Sequence, residues 1–194
     1  MSTDNPKGAD IMRIISALVF IMLAAALFTG TAQAQPDIDV NVGYVIPTGD
    51  FADAATPGFG IGADVFFGLP MFPVELGGRL AYNRFGAEDE FEDGHTSIIE
   101  ILPSVRYIFG PPLSPVKVFG QLGVGIYSWE NEFEFKGISQ TIEDDDSDFG
   151  IAVGAGVRGK LGPLTGIMAM PMYHVIFTEE DNTTYLSLDV GLVF

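Results

Sequence analysis

From residue 37 to the end of the chain, apolar and polar residues alternate one by one instead of following helical spacing. A period of two places successive side chains on opposite faces of a β-strand. The pattern predicts eight strands, at approximately 37–47, 58–69, 74–84, 98–109, 116–127, 149–161, 166–177 and 184–194. Each has the length of about 10 to 12 residues that a tilted strand needs to cross the hydrocarbon of a membrane.

The two faces of these predicted strands differ in an unusual way. One is apolar along nearly its whole length, and the other is rich in glycine and charge, as where Phe59 and Ile61 oppose Gly60 in "GFGIGADVFFGL". A soluble sandwich buries its apolar face and shows water a mixed polar one. A face this rich in glycine suits the interior of a small barrel, where the missing side chains leave room for neighbours such as Phe66 and Tyr127.

The connections between the predicted strands alternate in character. Short, proline-rich turns follow the second, fourth and sixth strands ("LPMFP", "GPPLSP" and "LGPLTG"), and longer polar connections follow the others. Outer-membrane barrels have tight periplasmic turns and longer extracellular loops. We therefore expect an even number of strands, with both ends of the barrel domain on the periplasmic side.

The N-terminal segment predicts targeting to the bacterial envelope. An apolar run from Ala17 to Phe28 is too short to span a bilayer comfortably, and the sequence "AQA" ending at Ala34 fits a signal peptidase site. We predict a signal peptide at 1–34, with a true start at Met12 as a hypothesis, and a barrel domain at 35–194. The alternative is an uncleaved anchor. The chain has no cysteine, which excludes disulfides, thiolate sites and a lipidated cysteine.

The mature chain resembles the small bacterial outer-membrane β-barrel family, which includes barrels of the outer-membrane protein A and W types. The resemblance rests on "VGYVIPTGDF", "GFGIGADVFFG", "LGGRLAYNRF", "VFGQLGVGIY" and the closing "DVGLVF". It implies an eight-stranded antiparallel transmembrane up-and-down β-barrel in the outer membrane, preceded by a cleaved signal peptide. It also implies that Asp189, Gly191 and Phe194 form a terminal signal for the barrel assembly machinery, although a further aromatic of the longer signal is absent. Activity does not follow, because this architecture hosts adhesins, enzymes, plugs and channels.

The negative charge is concentrated in the predicted loops. The formal net charge is -17, and eighteen of the 26 acidic residues fall in the four longer connections. The rest of the mature chain is balanced between acids and bases. This distribution disfavours nucleic-acid binding, which needs a basic surface. It predicts an anionic extracellular rim on a neutral barrel.

Charged residues on the glycine-rich face predict a charge network inside the barrel. Its predicted members are Asp64, Glu75, Arg79, Glu100, Arg106, Lys117, Arg158, Lys160 and Asp189. Charges in low-dielectric surroundings must be paired to persist. We expect pairs between Asp64 and Arg79 and between Glu75 and Arg106. Lys117, Arg158 and Lys160 are expected near the periplasmic mouth, together with Asp37 and Asp39. Such a lumen would block water; a narrow solvated pore is the alternative.

An acidic stretch before the sixth predicted strand suggests a cation site. Asp144, Asp146 and Asp148 have the spacing of the first EF-hand ligands, but the glycine comes one position late and Ala155 stands where the loop needs glutamate. Loose binding of Ca²⁺ or Mg²⁺ by Asp144, Asp145, Asp146 and Asp148 is the better hypothesis, with bridging to lipopolysaccharide phosphates as its role. The stretch "GAGVRGKLG" lacks the Gly-Lys-Ser/Thr of a phosphate loop.

A lipid-modifying enzyme remains an open alternative. His174 with Ser187 on the neighbouring strand is the one base and nucleophile pair that the sequence suggests, and the histidine-x-serine-asparagine motif of lipid A deacylases is absent. We expect no enzyme activity and no firmly bound cofactor. The first hypothesis is a non-enzymatic surface protein whose partners are outer-membrane lipid, lipopolysaccharide, the assembly machinery and an extracellular ligand. A narrow channel for small or hydrophobic solutes is the second.

Overall fold

The computed structural model describes residues 36–87, 94–111, 114–133, 144–162, 164–178 and 181–194. These residues form eight strands. The strands are β1 (Asp37–Thr48), β2 (Ala55–Gly68), β3 (Val74–Ala87), β4 (Gly94–Phe109), β5 (Val116–Phe133), β6 (Asp144–Lys160), β7 (Gly166–Phe177) and β8 (Thr183–Val193). A short 3-10 helix, Gly49–Asp53, lies between β1 and β2. The predicted signal peptide and the hypothesis of a start at Met12 lie outside the described residues.

The eight strands close into one antiparallel barrel. Each strand pairs with the next along the chain, and β8 returns to pair with β1, with Val190 opposite Val42. At the end of this seam the backbone N–H of Phe194 donates to the carbonyl of Ile38 at 2.9 Å, and Ile38 donates back at 3.2 Å. Closure leaves no strand with an unpaired edge along the barrel wall. The predicted eight-stranded antiparallel barrel is confirmed.

The alternation in the sequence matches the two sides of the wall. Large apolar side chains such as Ile61, Val153 and Val190 are more than half exposed on the outside. Phe66 and Tyr127 on the inside are fully buried. Exposed apolar side chains are dense all around the barrel, which is typical of a surface in contact with lipid. Within the described part of the chain, no helix is both long and apolar enough to cross a membrane.

Aromatic side chains on the outer surface cluster near the strand ends. Tyr44 packs edge-to-face on Phe59 with ring centroids 5.5 Å apart, and Phe149 stacks on Phe177 at 6.4 Å, both toward the loop end. Tyr107 and Phe109 lie 4.8 Å apart toward the turn end. Two aromatic belts of this kind are favoured at the two interfaces of a membrane.

The predicted difference in connection length is mostly wrong. The turns span 69–73, 110–115 and 161–165, and three of the other four connections are equally short, at 49–54, 88–93 and 178–182. Only 134–143 is longer. The strands are longer instead, with 16, 18 and 17 residues in β4, β5 and β6. The apolar alternation marks only the part of a strand that faces lipid, so it ends before the backbone pairing does.

This extension moves several predicted loop residues into strands. His95 lies in β4, and Asp144, Asp145, Asp146 and Asp148 lie in β6. Asp148 is paired in register with Tyr127, and Asp146 with Trp129. Extended backbone of this kind differs from the tight turn of an EF-hand loop, so an EF-hand has no structural basis here.

Candidate functional site: the barrel lumen

A cluster of charges around Arg79 occupies the middle of the lumen. Its guanidinium bonds three carboxylates, with Nε 2.6 Å from Glu100, Nη2 2.9 Å from Asp189 and Nη1 3.2 Å from Asp64. These acids come from β4, β8 and β2, and all four side chains are at most 3% exposed. Charge-assisted hydrogen bonds of this type are stronger than those between neutral groups, and here they connect strands across the barrel.

A second guanidinium, that of Arg106, lies nearer the turn end. Its Nη2 is 2.8 Å from Asp39 Oδ2 and 2.9 Å from Gln121 Oε1. The guanidinium carbon lies 3.9 Å from the ring centroid of Phe66 and 4.5 Å from that of Phe119. An arginine held by a carboxylate and in contact with two aromatic rings is fixed in position.

The third guanidinium, that of Arg158, lies at the turn end. It is 2.6 Å from Asp37 and 2.6 Å from Glu75, and the Asp37 side chain is 39% exposed. Lys117 is partly exposed and Lys160 is exposed. Among the described residues, neither lysine forms an ion pair. The network therefore reaches solvent at this end through Asp37 and Arg158.

The structure brings together most of the predicted network, with different partners in several places. Asp64 and Arg79 are opposite each other in register and in contact. Glu75 and Arg106 are also opposite, but 3.7 Å apart, and the nearest carboxylate of Arg106 is that of Asp39. Asp39, expected near the periplasmic mouth, is buried and bonds Arg106 instead of a group at the surface. Sequence reasoning considered only neighbouring strands, whereas long side chains reach across a narrow lumen.

Uncharged residues missed by the sequence reasoning complete the network. Asn41 donates to Asp64 Oδ2 at 2.9 Å, and Gln121 donates to Asp64 Oδ1 at 3.3 Å. Tyr185 donates to Glu100 Oε2 at 2.8 Å. The alternation places each of these residues on the inner face, and this was the sequence signal that could have identified them as lumen residues. Their partners were not predictable, because these contacts span as many as 85 residues of sequence.

A group centred on His174 lies in the same part of the lumen as Glu100. His174 Nε2 is 3.3 Å from Ser187 Oγ, and Nδ1 is 3.2 Å from Glu100 Oε2 and 3.1 Å from Tyr127 Oη. A serine, a histidine and an acid within these distances resemble a nucleophilic triad. However, Ser187 and His174 are at most 1% exposed, and Ser187 Oγ also donates to Asp189 Oδ2 at 3.1 Å.

Aromatic side chains pack against one another in the lumen, on the loop side of this polar region. Phe51, from the 3-10 helix, packs edge-to-face on Phe85 with centroids 5.1 Å apart and on Trp129 at 5.9 Å. Phe85 in turn packs on Tyr185 at 5.4 Å. We call Phe51, Phe85 and Trp129 the aromatic plug. Val45 and Ile98, both fully buried, belong to the same apolar cluster.

The side chains of Asp144, Asp145 and Asp146, three of the four residues of the predicted cation site, lie outside the part of the structure that is described. Within the residues that the structure describes, no group of three or more histidine or acidic side chains is placed to hold a metal ion.

The residues of the predicted assembly signal lie on two sides of the wall. Asp189 belongs to the charge network, and Phe194 is 54% exposed on the outer surface beside the β1–β8 seam. A Cβ on Gly191 would lie 2.4 Å from the carbonyl oxygen of Val40, so this glycine allows β1 to approach. Recognition of these residues by the assembly machinery stays a prediction.

Comparison with solved structures supports the fold. The chain is similar to a major outer membrane protein of Thermus thermophilus, with a TM-score of 0.55 and 11% identity over 82% of this chain and 99% of that one. It is also similar to Ail, the attachment invasion locus protein of Yersinia pestis, with a TM-score of 0.51 and 18% identity over 82% and 97%. The likeness to the outer membrane enzyme PagL has a TM-score of 0.47 and 12% identity over 81% and 98%, which carries no argument about activity.

Comparison with curated protein sequences found no match. The family model for the outer membrane protein beta-barrel domain matches residues 15–194. This match covers nearly the whole chain, including every strand of the closed barrel, and it establishes the outer membrane as the location. The chain belongs to the outer membrane protein beta-barrel domain family.

Proposed function

We propose that this outer-membrane barrel is a non-enzymatic anchor with a filled lumen, and that it presents an acidic surface outside the cell. The packing of side chains inside the barrel is the observation that supports the proposal. Arg158, Arg106 and Arg79 lie at successive levels from the turn end, and the aromatic plug lies beyond them. Arg79 and Arg106 are at most 3% exposed, which supports a lumen without a continuous path for water.

The acidic surface gives this anchor its role in the proposal. Eighteen acidic residues lie in or beside the connections opposite the proline-rich turns, against a total of 9 lysines and arginines in the whole chain. Lipopolysaccharide phosphates around the barrel would repel this rim unless divalent cations bridge the two. Ca²⁺ or Mg²⁺ bound loosely by the aspartates of β6, and an extracellular ligand with a basic surface, are the proposed partners.

Conductance of the refolded protein tests the filled lumen. Mature protein refolded from residue 35 and inserted in a planar bilayer is expected to give no steady single-channel steps. As a positive control, a larger barrel of known conductance is inserted in the same bilayer. Steady steps from the wild-type protein, at a frequency that follows protein concentration, would reject the filled-lumen proposal.

A narrow channel is the second candidate, and the continuous polar network favours it. Asp37, at the turn end, connects through Arg158, Glu75 and Arg106 toward the cluster of Arg79. The polar side chains between the turn end and Arg79 would suit the passage of small solutes if the ion pairs of the three arginines could open. In that case the conductance would depend on the aromatic plug, and Phe51→Ala would raise it.

The enzyme alternative has a direct test as well. Lipid A is profiled by mass spectrometry in a strain that carries His174→Ala and in a strain that carries the wild-type protein. We expect the two profiles to be the same. The buried position of His174 and Ser187 supports this expectation, because lipid cannot reach them from the outer surface. Loss of one acylated or deacylated species in the variant alone would support an enzyme.

A further inference from the structure

Arg84 is a cation on the outer wall of the barrel, where most neighbouring side chains are apolar. Its side chain is exposed and forms no ion pair with a described residue. The other lysines and arginines that the structure describes lie in the lumen or at the turn end, and they are Arg79, Arg106, Lys117, Arg158 and Lys160. In a chain with a formal net charge of -17, Arg84 is therefore the described position on the outer wall that attracts an anion.

The register of the strands gives the level of Arg84 in the membrane. Arg84 of β3 is opposite Phe59 of β2, and Phe59 is opposite Tyr44 of β1, with which it forms part of the loop-end aromatic belt. Val74, at the other end of β3, is opposite Tyr107 of the turn-end belt. The ten residues from Val74 to Arg84 rise about 3.3 Å each on a strand tilted by about 40°, which gives roughly 25 Å, the height of the apolar band of such barrels. Arg84 therefore lies where hydrocarbon meets the lipid headgroups on the loop side.

Two hydroxyl groups lie near Arg84 on the same outer face. Ser97 of β4 is directly opposite Arg84, and its Oγ is 2.8 Å from Tyr82 Oη. Ser97 is 3% exposed, whereas Tyr82 is 39% exposed. The pair has two hydroxyl hydrogens and shares one hydrogen bond, so when Ser97 donates, the phenol O–H is available to an acceptor at the surface. Tyr82 precedes Arg84 by two residues in β3, so both side chains point to the same side of the wall.

The backbone beside Arg84 is shaped by a bulge in β2. The register between β2 and β3 shifts between Thr56 and Phe59. A Cβ on Gly58 would overlap the carbonyl oxygen of Arg84, so glycine is required for the two strands to approach here. Bulges of this kind bend a strand, redirect side chains and are common at the rims of barrels and beside functional sites. The irregularity lies at the one outer cation of the described wall.

We propose that Arg84, together with the hydroxyl of Tyr82, binds a phosphate group of lipopolysaccharide in the outer leaflet. The loop end of such barrels faces the outside. A guanidinium binds phosphate through two parallel charge-assisted hydrogen bonds. Toward the turn end, Ile61 and Leu80 are more than half exposed and offer apolar surface to acyl chains. The site therefore suits a ligand with phosphate above acyl chains, as in lipid A. This direct contact adds to the cation-bridged one of the proposed function and does not depend on it.

Binding of purified lipid A to the refolded barrel in an uncharged detergent tests the proposal. Native mass spectrometry counts the lipid A molecules bound per protein as the lipid concentration is raised. Arg84→Gln should weaken binding about fivefold to tenfold, because the phosphate loses its charged partner. Lys160→Gln is the matched control, since it removes the same charge from an exposed side chain at the turn end and should leave the binding unchanged. Equal affinities of the two variants would overturn the proposal.

Two other lipids and a chelator identify the ligand and the mode of binding. Lipid A without its phosphates, and phosphatidylglycerol, should each bind the wild type more weakly than lipid A does. Equal binding of the former would overturn the phosphate contact, and equal binding of the latter would overturn the assignment to lipopolysaccharide. In EDTA, the difference between the wild type and Arg84→Gln should persist. Its loss would assign the binding to bridging cations, which overturns the direct contact but leaves the proposed function in place.

A tyrosine variant tests the second donor of the site. Tyr82→Phe removes only the hydroxyl, so it should weaken binding of lipid A about twofold to threefold. Tyr107→Phe, in the turn-end belt of the same outer surface, is the matched control and should bind as the wild type does. Emission of Trp129 verifies that every variant is folded before lipid is added. Equal binding by the two tyrosine variants would overturn the part of the proposal that concerns Tyr82.

Discussion

Arg79 Nη2 lies 2.9 Å from Asp189 Oδ2, which joins β3 to β8 across the lumen although 110 residues separate them in sequence. These two strands are not neighbours in the barrel. The contact therefore ties together two parts of the wall that share no backbone hydrogen bond. Together with its contacts to Glu100 and Asp64, this makes Arg79 the partner of three buried carboxylates.

Removal of this guanidinium should destabilise the barrel strongly. Arg79→Met leaves three buried carboxylates without their cation, and breaking a buried pair in this way costs about 3 to 5 kcal/mol. Urea unfolding in micelles, followed by the emission of Trp129, measures the change. Arg84→Met is the matched control, because Arg84 is exposed on the outer face of the same strand. Similar losses in the two variants would show that the interior contacts of Arg79 contribute little.

Two glycines of β6 should differ in how much stability they lose on substitution by alanine. A Cβ on Gly156 would lie 2.4 Å from Phe119 Cζ and 2.8 Å from the carbonyl oxygen of Ala169, whereas a Cβ on Gly159 would meet no atom within 4 Å. Gly156→Ala should therefore cost about 1 to 3 kcal/mol of unfolding free energy, the usual penalty of overpacking.

Gly159→Ala should be close to neutral in the same unfolding measurement. Because both glycines lie in β6, the two variants distinguish a steric need for glycine at one position from a general preference of this strand for glycine. If Gly156→Ala were also neutral, Phe119 would have to move freely in the lumen. Phe119→Leu combined with Gly156→Ala should recover part of the loss by returning space to the new methyl group.

The aromatic plug should be visible in the fluorescence of the only tryptophan. Phe51→Ala removes the ring that packs on Trp129 at 5.9 Å, so water gains access to the indole and its emission should shift to longer wavelength. We expect Phe51→Ala to lower the free energy of unfolding by about 1 to 3 kcal/mol, since the Phe51 side chain is only partly buried. Phe72→Ala, in the exposed turn between β2 and β3, is the control and should leave the emission unchanged.

The last residue should affect assembly in cells more than stability. Phe194 is 54% exposed, so Phe194→Ser removes little packing, and refolding in detergent should proceed as for the wild type. If the terminal aromatic is read during assembly, the amount of folded protein in the outer membrane should fall several-fold. Phe109→Ser, at 52% exposure on the same surface, is the matched control. Equal levels of the two variants in the membrane would reject the signal.

The strand boundaries show which parts of the fold the alternation of apolar residues could predict. The lipid-facing parts were predicted well, because lipid requires an apolar residue at every second position. The loop-end parts of β4, β5 and β6 were assigned to loops, because the strict alternation of apolar residues does not continue into them. Backbone pairing alone extends those strands, and a pattern of side chains does not report it.

The sequence by itself determined the membrane barrel: eight alternating segments, a glycine-rich inner face and a length that fits hydrocarbon allow few other folds. It also predicted most of the charges that face inward, because alternation settles the side of the wall on which each residue lies. Lys117 and Lys160 were predicted in the network as well, but neither forms an ion pair among the described residues. The tertiary structure decided which of those charges meet. Arg79 reaches Asp189, and His174 reaches Glu100, only because closure brings opposite walls of the barrel within the length of two side chains.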